Sequence, residues 1–117
     1  MITREKAKQF ANSWVLAWNS HDIDKIIGHY DKDIVLTSPI ASKLLGAPKV
    51  TGVEAVREYF LKGLDAYPNL HFEILDVLCG EESIILYYKN QKGIMAGEFM
   101  RLNDEYKIVE MYAHYSQ

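Results

Sequence analysis

Cysteine is almost absent from this chain of 117 residues, and long apolar runs are missing altogether. The single cysteine, Cys79, cannot form an internal disulfide, so a reducing compartment, the cytoplasm, is the expected location. A membrane-spanning helix needs about 18 consecutive apolar residues, which the sequence lacks. Residues 1–6 also lack the apolar core of a signal peptide. We therefore expect no membrane partner.

Positive charge is in short supply as well. The chain has 13 lysines and arginines against 16 aspartates and glutamates, which gives a formal net charge of −3. Because no basic cluster occurs, we expect no nucleic-acid partner. The 49% apolar content is too high for a disordered chain. The length predicts a single domain over residues 1–117.

Aromatic residues, in contrast, are abundant: the chain has two tryptophans, four phenylalanines and eight tyrosines. So many large rings in a small domain either fill its core or form the wall of a pocket. Which of the two applies depends on the secondary structure that carries them.

Three helices are predicted in the first half of the chain. Apolar residues recur at intervals of three and four over residues 7–18, which is typical of one helical face, and Thr3 is a suitable N-cap. Asp22 is placed to cap a second, short helix. A third apolar face runs from Val53 to Tyr67.

Strands follow the helices. Residues 34–37 form a short first strand, and residues 40–50, with two helix breakers, are predicted to be a loop. Four further strands are predicted at residues 70–79, 83–89, 94–102 and 106–115. Because short turns join these four, they are expected to pair as an antiparallel meander. Helices followed by a meander predict an α+β fold.

Several segments together resemble a known family. Residues 14–24 are similar to the first-helix signature of the nuclear transport factor 2-like superfamily, SnoaL-like branch. Residues 52–60, 99–103 and 107–110 continue the pattern in the same order. The resemblance implies three helices packed in a strongly bent antiparallel sheet, a cystatin-like α+β barrel that forms a cone around a deep pocket. Its members include isomerases, polyketide cyclases, epoxide hydrolases, dehydratases and non-catalytic adaptors.

The resemblance locates three positions that carry the chemistry of ketosteroid isomerase-like members. The proton-shuttling aspartate falls at Ser38, whose hydroxyl is no general base. The tyrosine that donates to the oxyanion falls at Trp14, whose indole donates a hydrogen bond but exchanges no proton. The second acid falls at Glu98. Steroid-type isomerisation is therefore not expected, and Glu98 is the candidate catalytic acid or base.

Strand alternation places Glu98 on the same face as Met100 and Leu102. A carboxyl in an apolar pocket has a raised pKa and serves as an acid or hydrogen-bond donor. Two other interpretations stay open: Glu98 faces solvent at the mouth of the cone, or it pairs with a tyrosine or with Trp14.

Further residues are predicted to line the pocket around a small hydrophobic molecule, although an ordinary filled core explains each ring singly. The candidate ligand-binding residues are Trp14, Trp18, Tyr30, Ser38, Tyr59, Met100, Met111 and Tyr115. His21 and His29 match no ligand spacing, so no metal or other cofactor is expected. In the last strand, His114 is predicted on the convex face.

The strand at 83–89 is apolar on both sides, so both of its faces need cover. Because Tyr87 and Tyr88 cannot both face inward, one of them lies on the convex face, where a second subunit is the natural partner. The sequence leaves three hypotheses. The protein is a small-molecule isomerase, cyclase, hydrolase or lyase; a non-catalytic binding or dimeric scaffold module; or an interaction protein that uses its convex sheet.

Overall fold

Ten elements make up residues 1–116, the part of the chain that a computed structural model of the protein describes. In chain order they are α1 (Arg4–Ser20), α2 (Ile23–Ile27), β1 (Tyr30–Thr37), α3 (Pro39–Leu45), β2 (Lys49–Thr51), α4 (Val53–Ala66), β3 (Glu73–Cys79), β4 (Ser83–Lys89), β5 (Met95–Leu102) and β6 (Ile108–Tyr115). The fold is α+β, as predicted, with helices packed on a six-stranded, curved and unclosed sheet.

Local capping sets the ends of the first two helices. The side chain of Thr3 accepts a hydrogen bond from the backbone N–H of Lys6 at 3.2 Å, and the Asp22 carboxylate caps α2. Between them His21 adopts a left-handed conformation with φ 60° and ends α1. Both predicted N-caps are confirmed.

The loop predicted at residues 40–50 is wrong, because this segment forms α3 and β2. Ser38 caps α3 by accepting from the N–H of Ile40 at 3.1 Å, and Pro39 occupies the first turn, where its missing N–H costs nothing. Gly46, at φ 80°, ends the helix. The chain therefore has four helices over residues 1–116 instead of the three expected.

The sheet has the strand order β2-β1-β6-β5-β4-β3. The predicted meander is confirmed, since β3 to β6 pair as antiparallel neighbours. One pair departs from the antiparallel prediction, because β1 runs parallel to β6 and antiparallel to β2. The chain between β1 and β6 contains all the other strands, which leaves room for a parallel return.

Alternation along the strands gives the sheet an inner face, which carries Glu98, and an outer face, which carries Tyr112. On β5 the side chains of Ala96, Glu98, Met100 and Leu102 are buried, while Arg101 is exposed. On β4 Tyr88 is buried and Tyr87 is 43% exposed, as the sequence predicts for one of the pair. The convex position predicted for His114 is confirmed, since His114 is exposed beside the buried Ala113.

Helices cover the inner face and bring the aromatic rings together. α1 packs against β3, and α4 packs against β1. At the centre the Trp14 ring, 1% exposed, stacks on Phe72 with centroids 5.7 Å apart and lies 5.5 Å from the Tyr88 ring. Over residues 1–116, every helix is too short or too polar to cross a bilayer.

Candidate functional site

An inner cavity of about 70 Å³ lies between α1, α4 and the inner face of the sheet. Trp14 and Trp18 line it from α1, and Tyr59 lines it from α4. On the sheet side Glu98 and Tyr115 form part of its wall. Most of the remaining lining is apolar or aromatic, which is typical of a site for a small organic molecule.

An outer cavity of about 290 Å³ adjoins the inner one. The two have six lining residues in common, which are Ile40, Tyr67, Leu70, Phe72, Tyr88 and Tyr115. The outer cavity is more polar, because the turn after β4 contributes Asn90, Gln91 and Lys92 and α3 contributes Lys43. A molecule in the inner cavity therefore reaches solvent past these side chains.

Glu98 is the one charged residue on the inner cavity wall within residues 1–116. It lies in the middle of β5, in register with Leu86 on β4 and Ala113 on β6, and is 3% exposed. Its carboxylate accepts a hydrogen bond of 2.5 Å from the Tyr88 hydroxyl.

Burial raises the pKa of Glu98 to about 7, against the opposing hydrogen bond from Tyr88. The charged and neutral forms therefore coexist near neutral pH, so the group can take up or release a proton there. That is the condition an efficient general acid or base has to meet.

Four phenols, Tyr88 among them, surround this carboxyl. Burial, with a smaller effect from Glu98, raises the pKa of Tyr88, Tyr30 and Tyr115 above the ordinary range. Burial also raises the pKa of Tyr59 to about 12, although a hydrogen bond to Ser38 lowers it. All four phenols stay protonated at neutral pH, so they act as hydrogen-bond donors and Glu98 is the group that titrates.

Ser38 contributes a second polar position on the inner wall. It is 2% exposed, and its Oγ caps α3 and also accepts from the Tyr59 hydroxyl at 3.4 Å. The cap explains why a serine next to a proline lies at the cavity: the end of β1 and the start of α3 meet there. Its hydroxyl orients neighbouring groups, and its hydrogen-bond partners within residues 1–116 are the N–H of Ile40 and the Tyr59 hydroxyl, neither of which is a base.

The two indole N–H groups differ in their partners. Trp14 Nε1 donates to the Tyr30 hydroxyl at 3.1 Å, so its ring lines the cavity while its N–H is already engaged. Trp18 Nε1 is buried and has no hydrogen-bond partner within residues 1–116. Such an unmet buried donor costs free energy unless something that binds there accepts from it.

The structure brings seven of the nine predicted site residues to one wall. Those that line the inner cavity are Trp14, Trp18, Ser38, Tyr59, Glu98, Met111 and Tyr115. Tyr30 and Met100 lie in the core outside its lining, at 5% and 0% exposure. The alternation of side chains along a strand predicts which face a residue lies on. It does not predict whether that residue reaches the cavity or lies in the core beside it. Glu98 is buried, so exposure at the mouth is wrong, and its carboxyl does pair with a tyrosine, Tyr88.

Sequence reasoning missed the part of the wall that follows α4. Tyr67, Leu70 and Phe72 line both cavities. The apolar pattern places Tyr67 at the end of the third helix and the other two in the following strand, but it does not indicate that they meet at the pocket. Only the contact of Phe72 with Trp14 and Tyr88 shows that this segment closes the cavity.

The histidines lie outside this site. His29 Nε2 is 2.8 Å from Ser13 Oγ, and its Nδ1 is 3.0 Å from the carbonyl of Lys25, a contact that ties α1 to the end of α2. Burial lowers the pKa of His29. Within residues 1–116, histidine, cysteine and acidic side chains form no group of three or more that suits a metal ion.

The chain matches a known domain family and resembles solved structures. The SnoaL-like domain family matches residues 11–111. The structure is similar to that of a SnoaL-like protein of unknown function from Burkholderia thailandensis E264, with 34% identity, a TM-score of 0.93 and coverage of 99% of this chain and 98% of that one. Among curated proteins none matches.

Two more distant structures share the fold alone. The epoxide hydrolase/cyclase-like enzyme SalBIII, described for pyran ring formation in the polyether salinomycin, is 18% identical, with a TM-score of 0.78 over 100% of this chain and 95% of its own. A protein of unknown function with a cystatin-like fold from Methylobium petroleophilum PM1 is 12% identical, with a TM-score of 0.78 over 99% of this chain and 79% of its own.

Proposed function

This protein belongs to the SnoaL-like family, and we propose that it binds a small, largely apolar molecule and transfers a proton to or from it through Glu98. One observation carries the proposal: the carboxyl of Glu98, whose pKa is about 7, lies on the wall of an aromatic cavity. A buried acid with that pKa is costly to keep, which favours a functional explanation. Isomerases, cyclases, hydrolases and lyases all use such a proton transfer.

The surrounding residues supply orientation in this proposal. Because Tyr88 and Tyr59 already donate their hydroxyl protons to Glu98 and Ser38, the protonated phenol of Tyr115 is the one that donates a hydrogen bond to an oxygen atom of the bound molecule. Trp14, Trp18 and Met111 contribute apolar wall. The ring-forming activity described for SalBIII, which shares this fold, is consistent with proton transfer at such a site.

A substrate-independent test uses nitrobenzisoxazole as the probe. A general base removes the proton on the ring carbon, the N–O bond breaks, and a coloured cyano-nitrophenolate leaves. Because only ionised Glu98 accepts the proton, the rate is expected to rise with pH around a midpoint near 7. Glu98→Gln should lower the rate by about 100-fold or more.

The matched control is Glu110→Gln on the outer face of the same sheet, where a glutamate also accepts from a tyrosine hydroxyl. This variant should keep the wild-type rate and pH profile. A rate that is the same in wild type, Glu98→Gln and Glu110→Gln would remove the catalytic part of the proposal and leave the binding part.

The alternative is a non-catalytic binding or scaffold module. It is favoured by the fact that Glu98 is the one carboxyl on the inner wall within residues 1–116, without a second acid to complete an isomerase-like pair. Its hydrogen bond from Tyr88 would then serve the packing of β4 against β5. Binding of small apolar molecules without any rate enhancement distinguishes this function from the catalytic one.

We propose further that two copies pair through the outer face. Leu78, Ile85, Phe99 and Tyr112 lie opposite one another across β3 to β6 and form one apolar row. Leu78 is 57% exposed and Tyr112 is 40% exposed, and burying such a row favours association.

Sedimentation equilibrium tests this pairing. Wild type should be dimeric at micromolar concentration, and Ile85→Lys should be monomeric because a charge would be buried at the contact. Leu61→Lys, at a comparably exposed position on α4, is the control that should stay dimeric. A monomeric wild type would contradict the proposal.

The cytoplasm is our proposed location. Cys79 is a free thiol and half-buried at the end of β3. Free thiols are typical of reducing compartments. Cell fractionation checks the proposal, and recovery of the protein outside the cytoplasmic fraction would contradict it.

A further inference from the structure

We infer that the molecule bound in this cavity is an amphipathic anion, whose anionic group stays at the mouth beside Lys43 and Lys92 while its apolar end points towards Glu98. The inference rests on the proposed function, because it takes the two adjoining cavities to be one binding site. It adds the chemical class of the ligand and the direction in which it lies.

The mouth is positive in a chain whose net charge is −3. Lys43 and Lys92 line the outer cavity, and no acidic residue within residues 1–116 lines it with them. Both lysines are exposed, so neither is held by burial in the core. Two cations at the mouth without an acidic residue favour a negatively charged group at that point.

Local structure holds Lys92 at the mouth. The side-chain Oδ1 of Asn90 accepts from the backbone N–H groups of Lys92 at 2.9 Å and Ile94 at 3.0 Å, which fixes the turn between β4 and β5. The Lys92 ammonium lies 5.6 Å from the centre of the Tyr67 ring, and Tyr67 lines both cavities. The positive charge therefore lies next to the passage into the inner cavity.

The inner end disfavours an anion. Its wall has Glu98 as its sole ionisable carboxyl and carries no lysine, arginine or histidine within residues 1–116. A carboxylate pushed to that depth would lose its water without gaining a cation, which is unfavourable. The ionised form of Glu98 would repel it as well. An apolar group meets a mostly aromatic and aliphatic wall there.

The two cavities suit a molecule with a ring and a short chain. The inner space of about 70 Å³ accepts part of a ring, and the outer space of about 290 Å³ accepts the remainder and the charged end. Phenylbutyrate has this shape, and phenylbutanol has the same ring and chain with a neutral hydroxyl in place of the carboxylate.

The test compares the affinities of these two probes. The indole N–H signals of Trp14 and Trp18, which line the inner cavity, report binding in an NMR titration of the full chain. Wild type should bind phenylbutyrate about three- to tenfold more tightly than phenylbutanol, the range expected for two exposed cations. The preference should shrink as salt is raised.

Lys43→Gln with Lys92→Gln should remove the preference for phenylbutyrate and leave the affinity for phenylbutanol unchanged. Lys32→Gln with Lys62→Gln makes the same change in net charge at exposed positions that line neither cavity and should keep the preference. Because all four side chains are exposed, both variants should fold normally.

The outcomes distinguish the inference that the ligand is an anion from the proposal that the cavity binds a ligand. Equal binding of the two probes by wild type, or a preference that survives loss of Lys43 and Lys92, overturns the inference while ligand binding in the cavity stands. Failure of both probes to shift either indole signal overturns the inference together with the proposed binding function.

Discussion

The two faces of the sheet carry the same pair of side chains in opposite surroundings. On the inner face the Tyr88 hydroxyl donates to Glu98 at 2.5 Å, and on the outer face the Tyr112 hydroxyl donates to Glu110 at 3.2 Å. Glu110 also accepts from Arg101 at 3.1 Å, and its side chain is partly exposed to solvent. Glu98 is 3% exposed, and within residues 1–116 no lysine, arginine or histidine lines the cavity wall that it shares.

The comparison separates the effect of the hydrogen bond from the effect of burial. On the outer face the bond to Glu110 is the main reason that the pKa of Tyr112 is raised. On the inner face burial is the main reason that the pKa values of Tyr88 and Glu98 are raised. The chemistry proposed for Glu98 therefore comes from its depth, since a phenol partner alone does not create it.

The largest expected difference between the faces is in packing. Leu86→Ala, at a fully buried position of β4, should lower the free energy of unfolding by about 2–5 kcal/mol. Ile85 directly precedes Leu86, lies on the outer face and is 38% exposed. Ile85→Ala should therefore lower the free energy of unfolding by about 1 kcal/mol or less. Urea unfolding measures both.

Repeating the unfolding measurement at several protein concentrations separates packing within one copy from pairing between two copies. At concentrations where the chain is monomeric, similar costs for the two substitutions would mean that the outer face is packed like a core. A cost of Ile85→Ala that grows with protein concentration would instead reveal the pairing of two copies.

The next difference is in the pH dependence of stability. Because the pKa of Glu98 is about 7 in the folded chain and 4.5 as the ordinary value, the folded state binds the extra proton between these pH values. The contribution of Glu98 to stability is therefore fully present below pH 4.5 and is lost as pH rises through 7. The loss amounts to about 3 kcal/mol.

Unfolding free energies of wild type and Glu98→Gln between pH 4 and pH 8 check this slope. Their difference should change by about 3 kcal/mol over that range. Burial lowers the pKa of His29, which gives a slope of opposite sign in both proteins and cancels in the difference. Glu110→Gln, at a half-buried position of the outer face, is the matched control, and equal pH slopes for the two variants would contradict the distinction between the faces.

The smallest expected effect concerns the phenol partner. Tyr88→Phe removes a hydrogen bond that stabilises the charged form, so the pKa of Glu98 should rise further above 7. Tyr112→Phe, on the other face, should leave it unchanged. Carbon-13 NMR of the Glu98 carboxyl, assigned with Glu98→Gln, measures both. A pKa that falls in Tyr88→Phe would show that the phenol stabilises the neutral acid instead.

The fold was largely predictable, because the features that carry it are local. Caps at Thr3 and Asp22, and alternation along β5 and β6, need only neighbouring residues to be recognised. The helix at α3 was missed because Pro39 starts a helix as readily as it ends a strand. Its local sequence fits both, and the contacts of α3 with α4 and β2 support the helix.

The sequence predicts which residues share a face, such as Glu98 with Met100 and Tyr112 with His114, because a period of two is a property of the strand alone. Which of these faces points inward, that Tyr88 meets Glu98, that Tyr30 accepts from the Trp14 N–H, and that Tyr67 and Phe72 close the cavity follow from the three-dimensional packing. These contacts depend on how separate elements pack in three dimensions. The burial of Glu98, which raises its pKa, depends on all of these contacts together.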